Sequence, residues 1–232
     1  MDRGTVAVVH FRADNIGCSQ PIKGEAMQKR ARFINKAFRM NRQAQLYEAS
    51  GNAEMAYRCY LENAMTGTDG KSLYELGKKY LFGEFVDFDY DKAGHYFKMA
   101  YETGFKLPGF AYIVIGSWEK NSNDATWDSE MNWYRLAADN GCEHGYECMG
   151  SLYMEKGDYK KAIESFLTPA KNESLSLYSL GKIYEEGLSV EKDTDKAIEY
   201  YRRTIVDCEY CKDKGDEYYE KAKARLKELG VA

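Results

Sequence analysis

The sequence predicts an all-α protein, a right-handed α/α solenoid of about five helix pairs with capping helices at both ends. Three observations carry this. The phrase LYELGKKYLFGEFVDFDYDKAGHYFKMA at 73–100 returns as LYSLGKIYEEGLSVEKDTDKAIEYYRRT at 177–204, with Leu, Tyr, Leu, Gly, Tyr, Gly, Asp and Lys-Ala at identical offsets. Weaker copies stay in phase. Gly77, Gly116, Gly150 and Gly181 mark first halves, while Ala64, Ala100, Ala137, Ala170 and Thr204 mark second halves. The mean period of about 35 residues suits a pair of antiparallel helices. Finally, each half has a helical apolar rhythm. Tyr146, Met149, Gly150 and Tyr153 precede a turn at Gly157-Asp158, and Ala162, Ile163, Phe166 and Ala170 follow it.

The elements follow in order. Residues 1–22 form an N-terminal extended or disordered segment whose TVAVVHF stretch is β-prone. A disordered lead, an extended arm and a strand that pairs on binding all remain open for it. Residues 23–42 carry Lys23, Lys29, Arg30, Arg32, Lys36, Arg39 and Arg42 against Glu25 alone, with Met27, Ala31, Ile34 and Phe38 at helical spacing. This is a basic amphipathic helix. It is expected to cap the solenoid, docking its apolar stripe and showing its charges to water, because solenoid ends need a polar-faced cap. An electrostatic contact surface is the alternative.

Residues 43–212 hold five helix-pair repeats. Units one and four have tight turns, with five residues from Gly51 to Ala56 and from Gly157 to Ala162. Units two and five have longer loops, with ten from Gly83 to Ala93 and from Gly187 to Ala197, and KNSNDATWDS makes unit three long as well. A glycine inside a helix loses about 1 kcal/mol relative to alanine. Close approach of the partner helix is therefore expected at the repeat glycines, helped by the small residues Ala93, Ala162 and Ala197. Asp89 and Asp193 stand where a carboxylate can cap a helix N-terminus. Residues 213–232 form a C-terminal capping helix, with Tyr219, Ala222, Leu226 and Leu229 on one stripe.

These residues resemble the Sel-one-like repeat family, related to tetratricopeptide repeats, through the pattern A/L-x-x-L-G-x-x-Y-x-x-G-x-x-V-x-x-D-x-x-K-A-x-x-Y-Y. Unit two supplies Leu76, Gly77, Tyr80, Gly83, Val86, Asp89, Lys92 and Ala93. Unit five supplies Leu180, Gly181, Tyr184, Gly187, Val190, Asp193, Lys196 and Ala197. Unit three keeps Gly116, Trp133, Tyr134, Ala137, Ala138 and Gly141 but departs at the Lys-Ala pair. Units one and four look more like tetratricopeptide repeats.

Composition bounds the function. The 232 residues are 44% hydrophobic with three prolines, enough for one continuous core. No apolar run reaches the ~20 residues needed to span a bilayer, so no membrane insertion is expected. The start lacks the layout of a secretory signal, and a cytoplasmic location is expected. Residues 1–22 are neutral and 23–42 carry +6, so the body at 43–232 is −10 within a total of −4, which disfavours nucleic acid. Cys18, Cys59, Cys142, Cys148, Cys208 and Cys211 fall at unrelated repeat positions and read as reduced thiols. Neither CEYC at 208–211 nor the Cys142, His144, Cys148 group has strong metal-ligand spacing, so no metal is expected. His10, His95 and His144 are the histidines, and no phosphate loop, nucleophile elbow or H-E-x-x-H pair occurs. The expectation is a non-enzyme without cofactors.

The resemblance implies a non-catalytic protein–protein interaction scaffold or adaptor, binding a partner protein or peptide in the solenoid groove. An immunity or inhibitor protein that occludes the active site of a toxin or effector is the alternative. In such families first helices line the groove, and residues three before, one after and about four after each repeat glycine face it. Those are Tyr74, Lys78 and Leu81; Ile113, Ser117 and Glu119; Glu147, Ser151 and Met154; and Tyr178, Lys182 and Glu185. Oligomeric state is not legible from the sequence.

Overall fold

The computed structural model describes residues 24–121, 125–168, 174–210 and 217–231, and among these it contains eleven α-helices and no strand. TVAVVHF, Cys18, Ala170 and Cys211 lie outside the described residues. The chain divides into two compact units, residues 1–39 and 40–232. The first holds the leading part of α1 (Gly24–Ala49), on which Ile34 and Phe38 are exposed. The sequence reading separates a helix over 23–42 from a first repeat beginning at 43. The helix instead runs on through Ala49, because RMNRQAQL contains neither glycine nor proline to stop it.

In the second unit α2 (Ala53–Ala64) follows the end of α1. Then come the pairs α3 (Gly70–Phe82) and α4 (Tyr90–Glu102), α5 (Gly109–Lys120) and α6 (Trp127–Asp139), α7 (His144–Glu155) and α8 (Tyr159–Leu167), and α9 (Ser174–Glu186) and α10 (Thr194–Tyr210). A last helix, α11 (Glu217–Glu228), closes the row. From α2 to α11 each helix packs on its neighbours in sequence, which is the contact pattern of a helical-repeat solenoid.

Local chemistry sets the helix starts. Asn52, Asp69, Asp89 and Asp158 each accept a bond from the backbone N–H three residues on, and Thr126 forms a capping box with Ser129. Asp193 likewise accepts from the Lys196 N–H at 2.9 Å. The stops of α3 and α9 are Gly83 and Gly187, at φ 65° and 73°, a left-handed conformation that side chains other than glycine seldom adopt. Connections within units one and four take three residues, 50–52 and 156–158, while those of units two and five take seven, 83–89 and 187–193.

What meets the repeat glycines is an aromatic ring. A Cβ at Gly77 would fall 2.5 Å from Phe97 Cδ1, at Gly116 2.7 Å from Tyr134 Cε1, at Gly150 2.5 Å from Phe166 Cε1, and at Gly181 2.6 Å from Tyr201 Cε1. The small residues Ala93, Ala162 and Ala197 are fully buried, one helical turn before Phe97, Phe166 and Tyr201. Each alanine lets the second helix come close, and the ring a turn later fills the space that the glycine leaves. The core is correspondingly continuous in kind. Leu73, Leu76, Phe97, Leu107 and Ile115 serve units two and three, Phe166, Leu177, Leu180 and Ile183 serve units four and five, and Tyr201, Ala222 and Leu226 join α10 to α11.

Candidate protein-binding groove

Alternate helices are not equivalent. The first helices α5, α7, α9 and α11 touch in succession, whereas successive second helices come nowhere as close. The first helices thus lie together along one side of the row, the face that the sequence reading assigns to the groove. Three rows of side chains run across this face, keyed to the repeat glycines.

The row three residues before each glycine forms the joints between first helices. Tyr74 packs on Phe97, Phe105 and Phe110, and Tyr178 packs on Tyr201 and Tyr218. Ile113 packs with Met131, Tyr134 and Leu152. Glu147 is buried, and its Oε1 accepts the Ser176 hydroxyl at 2.7 Å. Its other oxygen lies 2.7 Å from His144 Nδ1. The bonds of His144 to Cys148 and Glu147 outweigh burial and push its pKa up to about 11. Cationic His144 thus compensates the buried carboxylate, because an unpaired charge would be strongly disfavoured there.

The same joint recurs at the other end with an amide in place of the Glu147 carboxylate. Ala44 holds the glycine's place in unit one, and Asn41, three residues earlier, accepts the Ser72 hydroxyl at 2.9 Å. Ser72 and Ser176 stand at one repeat position. Asn63 and Asp69 complete that network, Asn63 Nδ2 donating to Asp69 Oδ2 and Ser72 Oγ, both at 2.9 Å.

The row one residue after each glycine is different. Lys182 is exposed, while Lys78, Ser117 and Ser151 are half-buried. Lys78 Nζ lies 2.9 Å from Glu75 and Lys182 Nζ 3.9 Å from Glu186, both pairs within one helix. Ser117 Oγ sits 3.4 Å from the Tyr134 hydroxyl. These side chains keep polar atoms at the surface on consecutive first helices.

The third row is mixed. Leu81 and Met154 are half-buried against the core. Glu119 accepts the Trp133 Nε1–H at 2.6 Å and pairs with Lys98. Glu185 is buried, accepts the Tyr201 hydroxyl at 2.7 Å, and is paired with Arg225 from α11. Burial raises its pKa, but the bonds from Arg225 and Tyr201 outweigh burial and leave it below the ordinary carboxylate value. Glu147 and Glu185 are therefore committed inside the molecule, whereas Lys182 is exposed and Lys78, Leu81, Ser117, Ser151, Met154, Tyr74 and Tyr178 are half-buried.

Sequence reasoning missed the polar joints through Asn41, Asn63, Asp69, Ser72 and Ser176. A repeat alignment extended back to Ala44 would have paired Ser72 with Ser176. Among the described residues no group of three His, Cys, Asp or Glu side chains is placed to hold a metal ion, and no helix is long and apolar enough to cross a membrane. Cys59, Cys142 and Cys148 carry no disulfide.

Comparison with known proteins matches the Sel1 repeat family model to residues 70–105, 131–142 and 174–205. The chain is similar in structure to a Sel1 repeat protein from Oxalobacter formigenes, at 20% identity over 80% of this chain and 76% of that one, with a TM-score of 0.55. It is similar to YrrB, a TPR protein with an unusual peptide-binding site, at 16% identity over 86% and 98%, TM-score 0.57. MamA also matches, at 19% identity over 77% and 96%, TM-score 0.53. At such identities the likeness to the solved structures is one of fold. Residues 70–105 and 174–205, with a shorter stretch at 131–142, thus match the Sel1 repeat model, within a helical solenoid whose fold is like that of these solved structures.

Proposed function

We propose that the chain is a non-catalytic scaffold that binds a protein or peptide along the first-helix face. The observation that carries this is the row Lys78, Ser117, Ser151 and Lys182, which keeps polar groups at the surface of successive first helices while the second-helix aromatics are used up in the core. Half-buried Leu81 and Met154 add apolar area beside it, so the face suits a peptide or loop with both apolar and acidic features. The peptide-binding site of YrrB, in a protein of the same fold, supports the reading. A net charge of −10 over 43–232 favours protein over nucleic acid as partner.

The double change Lys78→Glu and Lys182→Glu tests it. Lys182 pairs with the exposed Glu186 and Lys78 with Glu75, itself 16% exposed, so the change is expected to alter stability modestly, by about 1 kcal/mol. Wild type and variant are immobilised, exposed to lysate of the native cell, and the captured proteins quantified by mass spectrometry. A partner retained by wild type and depleted at least about tenfold by the variant, at equal helix content, supports the groove. Equal capture by both places the interface elsewhere. Capture of a single tight partner encoded beside this chain would favour the inhibitor alternative over a general adaptor.

A further inference from the structure

The α3–α4 and α9–α10 loops are built on one plan. Gly83 and Gly187 share the left-handed turn, and two residues later Phe85 and Ser189 share a positive φ, 70° and 58°. The Asp89 N–H donates to the Tyr80 carbonyl at 3.0 Å and the Asp193 N–H to that of Tyr184 at 2.9 Å. Beneath each loop a tyrosine pair is stacked, Tyr80 on Tyr96 and Tyr184 on Tyr200, both at 5.7 Å between ring centroids. Each loop thus serves as a control for the other.

Against that shared frame the two loops differ at Glu84, where the copy has the core-packing Leu188, and at three aromatic positions. Phe82, Phe85 and Phe88 stand where the second copy has Glu186, Ser189 and Lys192. The three rings are 59%, 50% and 65% exposed. Phe88 folds back over Gly83, its Cβ 3.8 Å from where a side chain at that glycine would begin. Phe85 also occupies a backbone conformation that a bulky aromatic rarely adopts. Its copy forms the same loop without these rings, although Phe85 also packs on Tyr57 of α2, at 5.5 Å between ring centroids. Three aromatics on one short stretch, each half exposed or more, mark a contact surface.

Charge limits the partner. Glu84, Asp87, Asp89 and Asp91 lie among and just after the rings. The neighbouring lysines answer part of this charge, Lys92 pairing with Asp89 at 2.7 Å and Lys79 with Glu84 at 3.8 Å as well as with Glu48 at 3.0 Å, and the loop stays net negative. An anionic lipid surface would meet a loop of its own sign, and a purely apolar partner would have to desolvate its carboxylates. A cationic chain with aliphatic side chains satisfies both features.

We propose that the loop between α3 and α4 is a second binding surface, separate from the first-helix face, and that it takes a cationic amphipathic segment of another protein. The test transfers the copy's residues: Phe82→Glu, Phe85→Ser and Phe88→Lys together leave net charge unchanged. Phe88→Lys alone serves as a second variant at the most exposed ring. The probe is a synthetic helical peptide with leucines on one face and lysines on the other, titrated by calorimetry into the full chain. A matching peptide with glutamates for lysines is the control.

The triple variant is expected to bind the lysine peptide at least about tenfold more weakly than wild type, and Phe88→Lys several-fold more weakly. Lys78→Glu with Lys182→Glu should not weaken this binding, which separates it from the groove. Equal binding by wild type and both loop variants overturns the proposal, as does equal binding of the glutamate peptide. Self-association of wild type in sedimentation that the triple variant loses would also overturn it, assigning the rings to a second copy of the chain.

Discussion

Gly181 sits where a side chain would have to share space with the Tyr201 ring, 2.6 Å away. The helix gives up about 1 kcal/mol of propensity to keep a glycine there. It gains a helix–helix distance short enough for a fully buried tyrosine whose hydroxyl still reaches Glu185 at 2.7 Å. Gly181→Leu should overpack the pair and lose about 1–3 kcal/mol, read as a lower urea midpoint at unchanged slope. An unchanged midpoint would show that the ring can swing clear. The repeat spacing made the close contact legible, because the glycines recur. It could not name the ring, because every second helix carries several aromatics and only the connection length decides which one arrives over the glycine.

At the scale of one element, α11 does more than cover an apolar end. Its Arg225 reaches back to Glu185, with Nε 3.3 Å from Oε2, while Ala222 and Leu226 are buried beside Tyr201. A carboxylate with a lowered pKa contributes stability that is present above its ordinary value and is lost as pH falls through the lowered one. In Arg225→Met the carboxylate would stay buried without its cation. Breaking a fully buried pair loses about 3–5 kcal/mol. Arg225 is 38% exposed, so solvent screens the loss to about 1 kcal/mol. The variant should melt about 2–4 °C below wild type at pH 7, and the gap should close as the pH falls through the lowered carboxylate pKa and Glu185 protonates in both. A gap independent of pH would mean that Arg225 acts by packing alone. The amphipathic stripe of this helix was readable from its spacing. The ion pair was not, since its partners are 40 residues apart and in different units.

Across the whole molecule, stability is a chain of neighbour contacts rather than one shared core. The buried bond from Ser176 to Glu147 is one such link, tying α9 to α7 across units four and five. Ser176→Ala removes a donor to a buried carboxylate, a loss of about 1–3 kcal/mol. By hydrogen exchange, protection should fall across α9, α10 and α11, while α3, α4 and α5 keep theirs. Uniform loss along all helices would show that the array unfolds as one unit. The solenoid itself was legible from two near-identical phrases and a period of about 35 residues. The candidate groove was legible only as rows. Position relative to a glycine tells which way a side chain points, but Glu147 and Glu185 had partners waiting in the next helix of the row.

The Glu185 pair also makes the end of the row chemically particular. In units two and three the place of Glu185 is taken by Leu81 and Lys120, neither of which leaves an anion to be answered by the following helix. Unit five does leave one, and α11 answers it. A graft that extended the stack by inserting another helix pair after α10 would strand a buried carboxylate unless the incoming first helix brought its own guanidinium to the same spot. The junction thus works like a keyed socket: it accepts one kind of successor, and shuffling the repeats would be checked there by electrostatics rather than by shape.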